Sequence, residues 1–323
     1  MAARRRWISF ALALVRTAVG VALLAYLLRA AETRATLATL FTTLWLLVLL
    51  NLAPVLGAGL EAGRLSVLFA ARGLGVSLGD GFRVVAVGAL FNLWIPGGTG
   101  GDVMKLYYLV GLHPRRKVEV AALLLVDRAV AFLSLLVVLL ALLAAQPALR
   151  AVPLVGGAAL GVVVCLALLL AGAAVAGSRR LRESAAVRWL RARIPFGEAV
   201  ARAAATVHGF RESAPSLLAA VLLSLAGHLL LAAVLAVAGS VLLPGLPALT
   251  TVTLALLGLI ANVLPIAPGG LGVGEAASEA LFRTVGRSGG AGLVAAWRVG
   301  TILLCLVGAL LCAGGAQRAR AAA

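Results

Sequence analysis

Asn92-Leu93-Trp94-Ile95-Pro96-Gly97-Gly98-Thr99-Gly100-Gly101-Asp102-Val103-Met104-Lys105 interrupts an apolar stretch with proline, glycine pairs and two charges. A second stretch, Asn262-Val263-Leu264-Pro265-Ile266-Ala267-Pro268-Gly269-Gly270-Leu271-Gly272-Val273-Gly274-Glu275, repeats the order: asparagine, a few apolar residues, Pro-Gly-Gly, a further glycine, then a carboxylate. Proline removes an amide donor and glycine accepts left-handed or close-packed backbone, so a helix unwinds at such a cluster. The apolar residues on either side number about a dozen, too few to cross roughly 30 Å of hydrocarbon. Segments 82–110 and 249–286 therefore read as re-entrant pairs of half-helices. Unwound backbone at membrane depth persists only where protein or water covers it, so each break implies a cavity.

Around these segments lie apolar runs long enough to span, near residues 7–28, 38–60, 120–145, 153–176, 215–241 and 291–314. The chain of 323 residues is 63% hydrophobic and only 12% charged, with a mean hydropathy of +1.11; a soluble domain places a charge at about one position in four. The predicted fold is an all-α, polytopic helical membrane protein: six full spans plus two opposed re-entrant hairpins, in one membrane domain covering residues 1–323. A retained first helix explains the run from Trp7 to Leu28 better than a signal peptide, whose apolar core is shorter.

Basic residues orient this arrangement. Arg4 to Arg6, then Arg64, Arg72 and Arg83 of a loop at 61–83, Arg115, Arg116 and Lys117, the arginines of 177–214, and finally Arg318 and Arg320 belong on the cytoplasmic side. The alternate loops near 29–37, 146–152 and 242–248 carry few charges. Both termini then lie inside a cytoplasmic (inner) membrane, the first broken segment enters from the cytoplasmic side, and the second enters from the outer side. The stretch 177–214 reads as an amphipathic basic connector resting on anionic headgroups. Placed at span ends in this way, the formal charge of +17 points to membrane orientation, and nucleic acid is not an expected partner. Cys165, Cys305 and Cys312 lie in apolar runs without metal-ligand spacing, so neither a disulfide nor a metal is expected. No nucleotide-binding loop, zinc-protease helix or serine-hydrolase elbow occurs, so neither an enzyme nor a cofactor is expected.

Two weakly similar broken segments entering from opposite faces are the pattern of inverted-repeat transporters. A half-helix restarting near Asp102 or Glu275 presents free amides and a positive dipole end, which suit an anionic phosphate. A carboxylate there also suits a helix N-cap, and the glycines also suit close helix packing, so each reading stands beside its structural alternative. Lys105, the Asp127-Arg128 pair, Glu279 and Arg298 are costly at membrane depth and should face inward and pair. Asp127 bound to a neighbouring arginine is one such arrangement, while Lys105 and Arg298 could instead reach toward an interface. His228 reads as a packed residue. The candidate binding residues are Asn92, Pro96, Gly97, Gly98, Gly100, Gly101, Asp102, Lys105, Asp127, Arg128, Asn262, Pro268, Gly269, Gly270, Gly272, Glu275 and Arg298.

At these positions the sequence resembles the transmembrane region of lysylphosphatidylglycerol synthases. The matching features are Asn92 through Pro96-Gly97-Gly98-Thr99-Gly100-Gly101-Asp102 with Lys105, the Asp127-Arg128 pair, and Pro265 through Glu275; where the family usually carries glutamate, this sequence has Asp127. The resemblance covers nearly the whole chain. It implies a lipid flippase or lipid-translocating relative. In full-length members this membrane part moves aminoacylated phosphatidylglycerol to the outer leaflet, and a separate cytoplasmic domain makes that lipid. No such domain follows the last span, so aminoacyl transfer is not expected.

The function read from the sequence is translocation of a polar-headed lipid between leaflets: an anionic or aminoacylated phospholipid, or a polyprenyl-linked lipid. In this picture the glycine amides, Lys105, Arg128 and Arg298 hold phosphate, while Asp102, Asp127 and Glu275 meet a cationic headgroup or carry a proton. Two alternatives stand: a non-transporting scaffold for an envelope-lipid enzyme, and a small-solute or ion transporter. A homo-oligomer is compatible with each.

Overall fold

The computed structural model describes residues 29–93, 100–178, 213–263, 267 and 269–321, with positions 22, 25, 26, 180, 184 and 193. The described residues form helices and no strands. In chain order these are α1 (Ala31–Thr42), α2 (Leu44–Ala70), α3 (Leu78–Asn92), α4 (Gly100–Leu112), α5 (Lys117–Ala144), α6 (Pro147–Arg150), α7 (Pro153–Gly177), α8 (Ala214–Leu242), α9 (Ala248–Ile260), α10 (Val273–Arg283), α11 (Gly290–Gly300) and α12 (Ile302–Ala321). A 3-10 turn, Ala261–Val263, continues α9.

Among the described residues, five helical stretches are long and apolar enough to cross a bilayer: Leu44–Ala70, Lys117–Ala144, Pro153–Val175, Ala214–Leu242 and Gly290–Gly314. They match the expected runs from 38–60 onward, and the chain is a multi-pass helical membrane protein. The expected span at 7–28 lies outside the described residues apart from positions 22, 25 and 26, as does most of the connector 177–214. The last span is jointed, because α11 ends at Gly300 and α12 starts at Ile302. A side chain at Gly300 would overlap the Leu50 carbonyl, and one at Gly308 the Ala86 carbonyl. Small residues thus let this span lie directly on the backbones of α2 and α3, the packing that replaces hydrophobic drive inside lipid.

The helices of the two broken segments, α3, α4, α9 and α10, are all short. None exceeds 15 residues, so at 1.5 Å per residue each reaches at most about 22 Å, short of the hydrocarbon thickness. Ser77 starts α3 by accepting from the Asp80 amide at 3.1 Å, a serine N-cap. The α3–α4 pair has its base beside the start of α5: Arg116 donates to the Gly73 and Arg72 carbonyls at 3.3 and 3.1 Å. The base of the α9–α10 pair lies at the far end of α5, where Gln146 donates to the Thr253 hydroxyl at 2.7 Å and accepts from Thr250 at 3.0 Å. Since α5 crosses the bilayer, the two hairpins enter from opposite faces. Described residues flanking the two breaks approach each other: a methyl group on Gly269 would lie 3.1 Å from the Asn92 carbonyl oxygen and 3.5 Å from Leu93 Cα.

Each hairpin is seated in its own apolar cluster. Leu65, Leu68, Phe69, Val84, Val85, Leu109, Leu123 and Leu304 surround the first. Leu139, Leu143, Leu235, Leu254, Leu281, Phe282 and Leu293 surround the second.

Two boundaries differ from expectation. The loop predicted at 61–83 begins only at Ala71, so Arg64 lies within α2 and is 6% exposed. Its charge is neutralised by partners on other helices, and a reading that ends a span at the first charges stops too early. Likewise the expected loop at 29–37 falls largely within α1, whose Thr33, Thr36 and Leu40 are buried. Here Gly292 leaves room for the Thr36 side chain.

Candidate functional site

The two hairpins share more than an order of residues. In the first, Gly88 stands four residues before Asn92, and the Asn92 Oδ1 accepts from the Gly101 amide at 2.6 Å. A side chain at Gly101 would lie 2.9 Å from both that oxygen and the Gly88 carbonyl, while one at Gly88 would meet Lys105 Cε at 3.4 Å. In the second, Gly258 stands four residues before Asn262, side chains at Gly270 and Gly274 would overlap the Asn262 amide, and Gly258 packs against Ser278. The correspondence is therefore Gly88 with Gly258, Asn92 with Asn262, Gly101-Asp102 with Gly274-Glu275, and Lys105 with Ser278. In both, an asparagine at the end of the entering half-helix braces the start of the returning one.

This bracing decides the capping question. Among the described contacts, Asn92 supplies the side-chain cap at the restart near Asp102. At the second break the N-cap is Gly272 in the left-handed region, with no side-chain cap bond. Both carboxylates are thus available for ion pairs.

Beside Asn92 and Asp102 of the first hairpin lies a cavity of about 380 Å³ bordered by α2, α3, α4, α5, α8 and the joint of the last span, within the size range of small-ligand sites. Its polar wall carries Glu61, Arg64, Asn92, Asp102, Lys105, Asp127, Arg128, Ser224 and His228; Leu223, Leu230, Leu231, Trp297 and Leu304 form apolar wall. Arg64 holds Asp127 with two bonds, Nε to Oδ1 at 2.6 Å and Nη2 to Oδ2 at 3.1 Å, and donates a third to the Ser224 hydroxyl at 3.1 Å. Lys105 donates to Glu61, and Arg64 Nη2 lies 3.7 Å from the same carboxylate oxygen. Charges at this depth persist by such pairing. The His228 Nδ1 sits 2.8 Å from the Ser224 carbonyl, leaving Nε2 as the other ring nitrogen of a cavity-lining residue.

The remaining pair differs. Arg128 Nη1 and Asp102 Oδ2 are 3.3 Å apart, with side chains 50% and 39% exposed. Arg128 stands about 16 Å along α5 from Lys117. It shares a helix face with Leu125 and Ala129, both exposed, so the cavity opens beside side chains that face lipid.

Arg298 has a different setting from the one expected. It binds Glu275, and it also donates to the Gly269 carbonyl at 2.9 Å, the Gly270 carbonyl at 2.7 Å and the Asn262 Oδ1 at 3.1 Å. Glu275 is 1% exposed. These groups tie the unwound turn of the second hairpin to the last span, and none of Asn262, Gly269, Gly270, Gly272, Glu275 or Arg298 borders the cavity.

Of the residues expected to form one site, the structure thus gathers Asn92, Asp102, Lys105, Asp127 and Arg128 around the cavity. Gly100 and Gly101 start the α4 turn that carries Asp102. Pro96, Gly97, Gly98 and Pro268 lie outside the described residues. Lys105 does not reach toward an interface: it is 8% exposed and points inward. Sequence reasoning missed Glu61 and Ser224, misplaced Arg64 in a loop, and gave His228 no cavity. A carboxylate and an arginine one helical turn apart inside a continuous apolar run, as at Glu61 and Arg64, was the available signal.

The family model described as Lysylphosphatidylglycerol synthase TM region matches residues 7–310 of the chain. No curated protein and no solved structure matches it.

Proposed function

Because the chain belongs to the family of the lysylphosphatidylglycerol synthase transmembrane region, we propose that it carries a polar-headed membrane lipid from one leaflet to the other. The observation that carries this reading is the charged cavity at membrane depth, open beside lipid-facing residues of α5. A headgroup exchanging water for this cavity meets cations and carboxylates already fixed by the bundle. Its acyl chains stay in hydrocarbon. The hairpin pair supplies the other requirement, two similar units entering from opposite faces and meeting in the interior, as in alternating-access carriers.

In this reading the protein works in the cytoplasmic membrane. The face holding Arg72, Arg115, Arg116 and Lys117 is the inner one, as the positive-inside rule requires. Arg283 and Arg287, on the opposite face, are engaged locally with Glu279 and the Pro244 carbonyl. The chain performs no covalent chemistry and requires no cofactor. A scaffold role has less support, because close packing alone gives no reason for a lined cavity. A soluble-solute carrier has less support because of the opening beside Leu125.

The test is leaflet transfer of headgroup-distinguishable phospholipids in proteoliposomes of the purified protein. Wild type should transfer lipid, and Asp102→Asn/Arg128→Gln should lower the rate by about tenfold or more through loss of charge-assisted contacts. Absence of transfer of every lipid by well-folded wild type would overturn the proposal.

A further inference from the structure

Resting on that translocation reading, we propose that the cavity selects zwitterionic headgroups, with one phosphate and one ammonium, over anionic ones, and that Asp102 and Arg128 are the specificity-determining pair. The first support is the balance of charge. The cavity is lined by three carboxylates, Glu61, Asp102 and Asp127, and three cations, Arg64, Lys105 and Arg128. An anionic headgroup adds an uncompensated negative charge to such a site, which is costly where the dielectric is low. A zwitterion adds none.

The second support is that the pairs are held unequally. Asp127 takes two bonds from Arg64, which Ser224 also engages. Lys105 is tied to Glu61 and is buried. Asp102 and Arg128 are joined by a single approach of 3.3 Å, and both are partly exposed at the cavity mouth. These two can exchange partners at least cost. The Arg128 guanidinium turns to the phosphate, where a two-bond contact is available, and the freed Asp102 carboxylate receives the ammonium. One ion pair becomes two, and the net charge of the site is unchanged. A primary ammonium suits Asp102 better than a quaternary one, since it donates hydrogen bonds.

Selectivity can be read without transport. The purified full-length chain in detergent is titrated with dihexanoyl phosphatidylethanolamine and dihexanoyl phosphatidylglycerol, following calorimetric heat and thermal unfolding. Wild type should bind the ethanolamine lipid about tenfold more tightly, as expected when the glycerol lipid leaves a charge unpaired. Asp102→Asn leaves the site with an excess positive charge and should abolish or invert that preference. Arg128→Gln should weaken both lipids. Equal or tighter binding of the glycerol lipid by wild type, an unchanged ratio in Asp102→Asn, or binding of neither lipid would overturn the inference. Selective binding without leaflet transfer in proteoliposomes would instead remove the translocation reading and leave the selectivity standing. Transfer of both lipids at equal rates and equal affinities would do the reverse.

Discussion

Arg64 and Asp127 are 6% and 4% exposed and joined by two hydrogen bonds between α2 and α5. Removing one member strands a buried charge. Asp127→Ala should therefore cost about 3–5 kcal/mol, read as a lowered unfolding temperature in detergent. The combined change Arg64→Met/Asp127→Leu should recover much of that loss, because an apolar pair leaves no charge unmatched. An equal loss in the combined variant would show that Arg64 matters chiefly through Ser224. Glu279 has a different task. Its Oε2 accepts from the Gly289 and Ala291 amides, each at 3.1 Å, closing the start of α11. Glu279→Ala leaves those buried donors unpaired and should cost about 1–3 kcal/mol, while leaving headgroup affinity unchanged. At this scale the sequence was partly legible. Asp127 invited an arginine partner because an intramembrane carboxylate needs one, but its partner stood 63 positions away and no local spacing announced it.

The hairpins depend on glycines at crossings. Gly101→Ala should push against the Asn92 amide and the Gly88 carbonyl, and Gly258→Ala against the Ser278 backbone. Overpacking of this kind costs about 1–3 kcal/mol. Gly59, inside α2, has open space around it, so Gly59→Ala should be neutral or slightly stabilising, since alanine is the better helix former. Thermal unfolding of the three variants checks this, and equal effects at all three positions would contradict the account. The breaks themselves were legible because Pro-Gly-Gly clusters leave half-helices too short to span. The division of labour between the hairpins was not. Pattern similarity suggested that Asp102 and Glu275 share one site, yet Asp102 pairs with Arg128 at the cavity and Glu275 with Arg298 of the last span. The first hairpin consequently faces the cavity with charges, and the second is tied to the last span.

For the whole molecule, the bases of the two hairpins lie at opposite ends of α5. With the three native cysteines replaced, Arg115→Cys should react with a membrane-impermeant thiol reagent only from the inside and Gly245→Cys only from the outside. Labelling of both from one side would break the inverted arrangement. The five described spans were readable from apolar length, while the span expected at 7–28 lies almost wholly outside the described residues. The true end of α2 was not readable, because its charges are neutralised by helices distant in sequence. The central claim, that a lipid headgroup enters the cavity beneath the first hairpin, is tested most directly by photo-crosslinking. The full-length protein in liposomes is illuminated with a phospholipid bearing a photoreactive headgroup, and the adducts are mapped by peptide mass spectrometry. The account predicts adducts on α4, α5 and α8 at the cavity wall, around Asp102, Arg128 and His228, that unlabelled lipid competes away. Adducts confined to outward faces such as that of α7, untouched by competition, would contradict it.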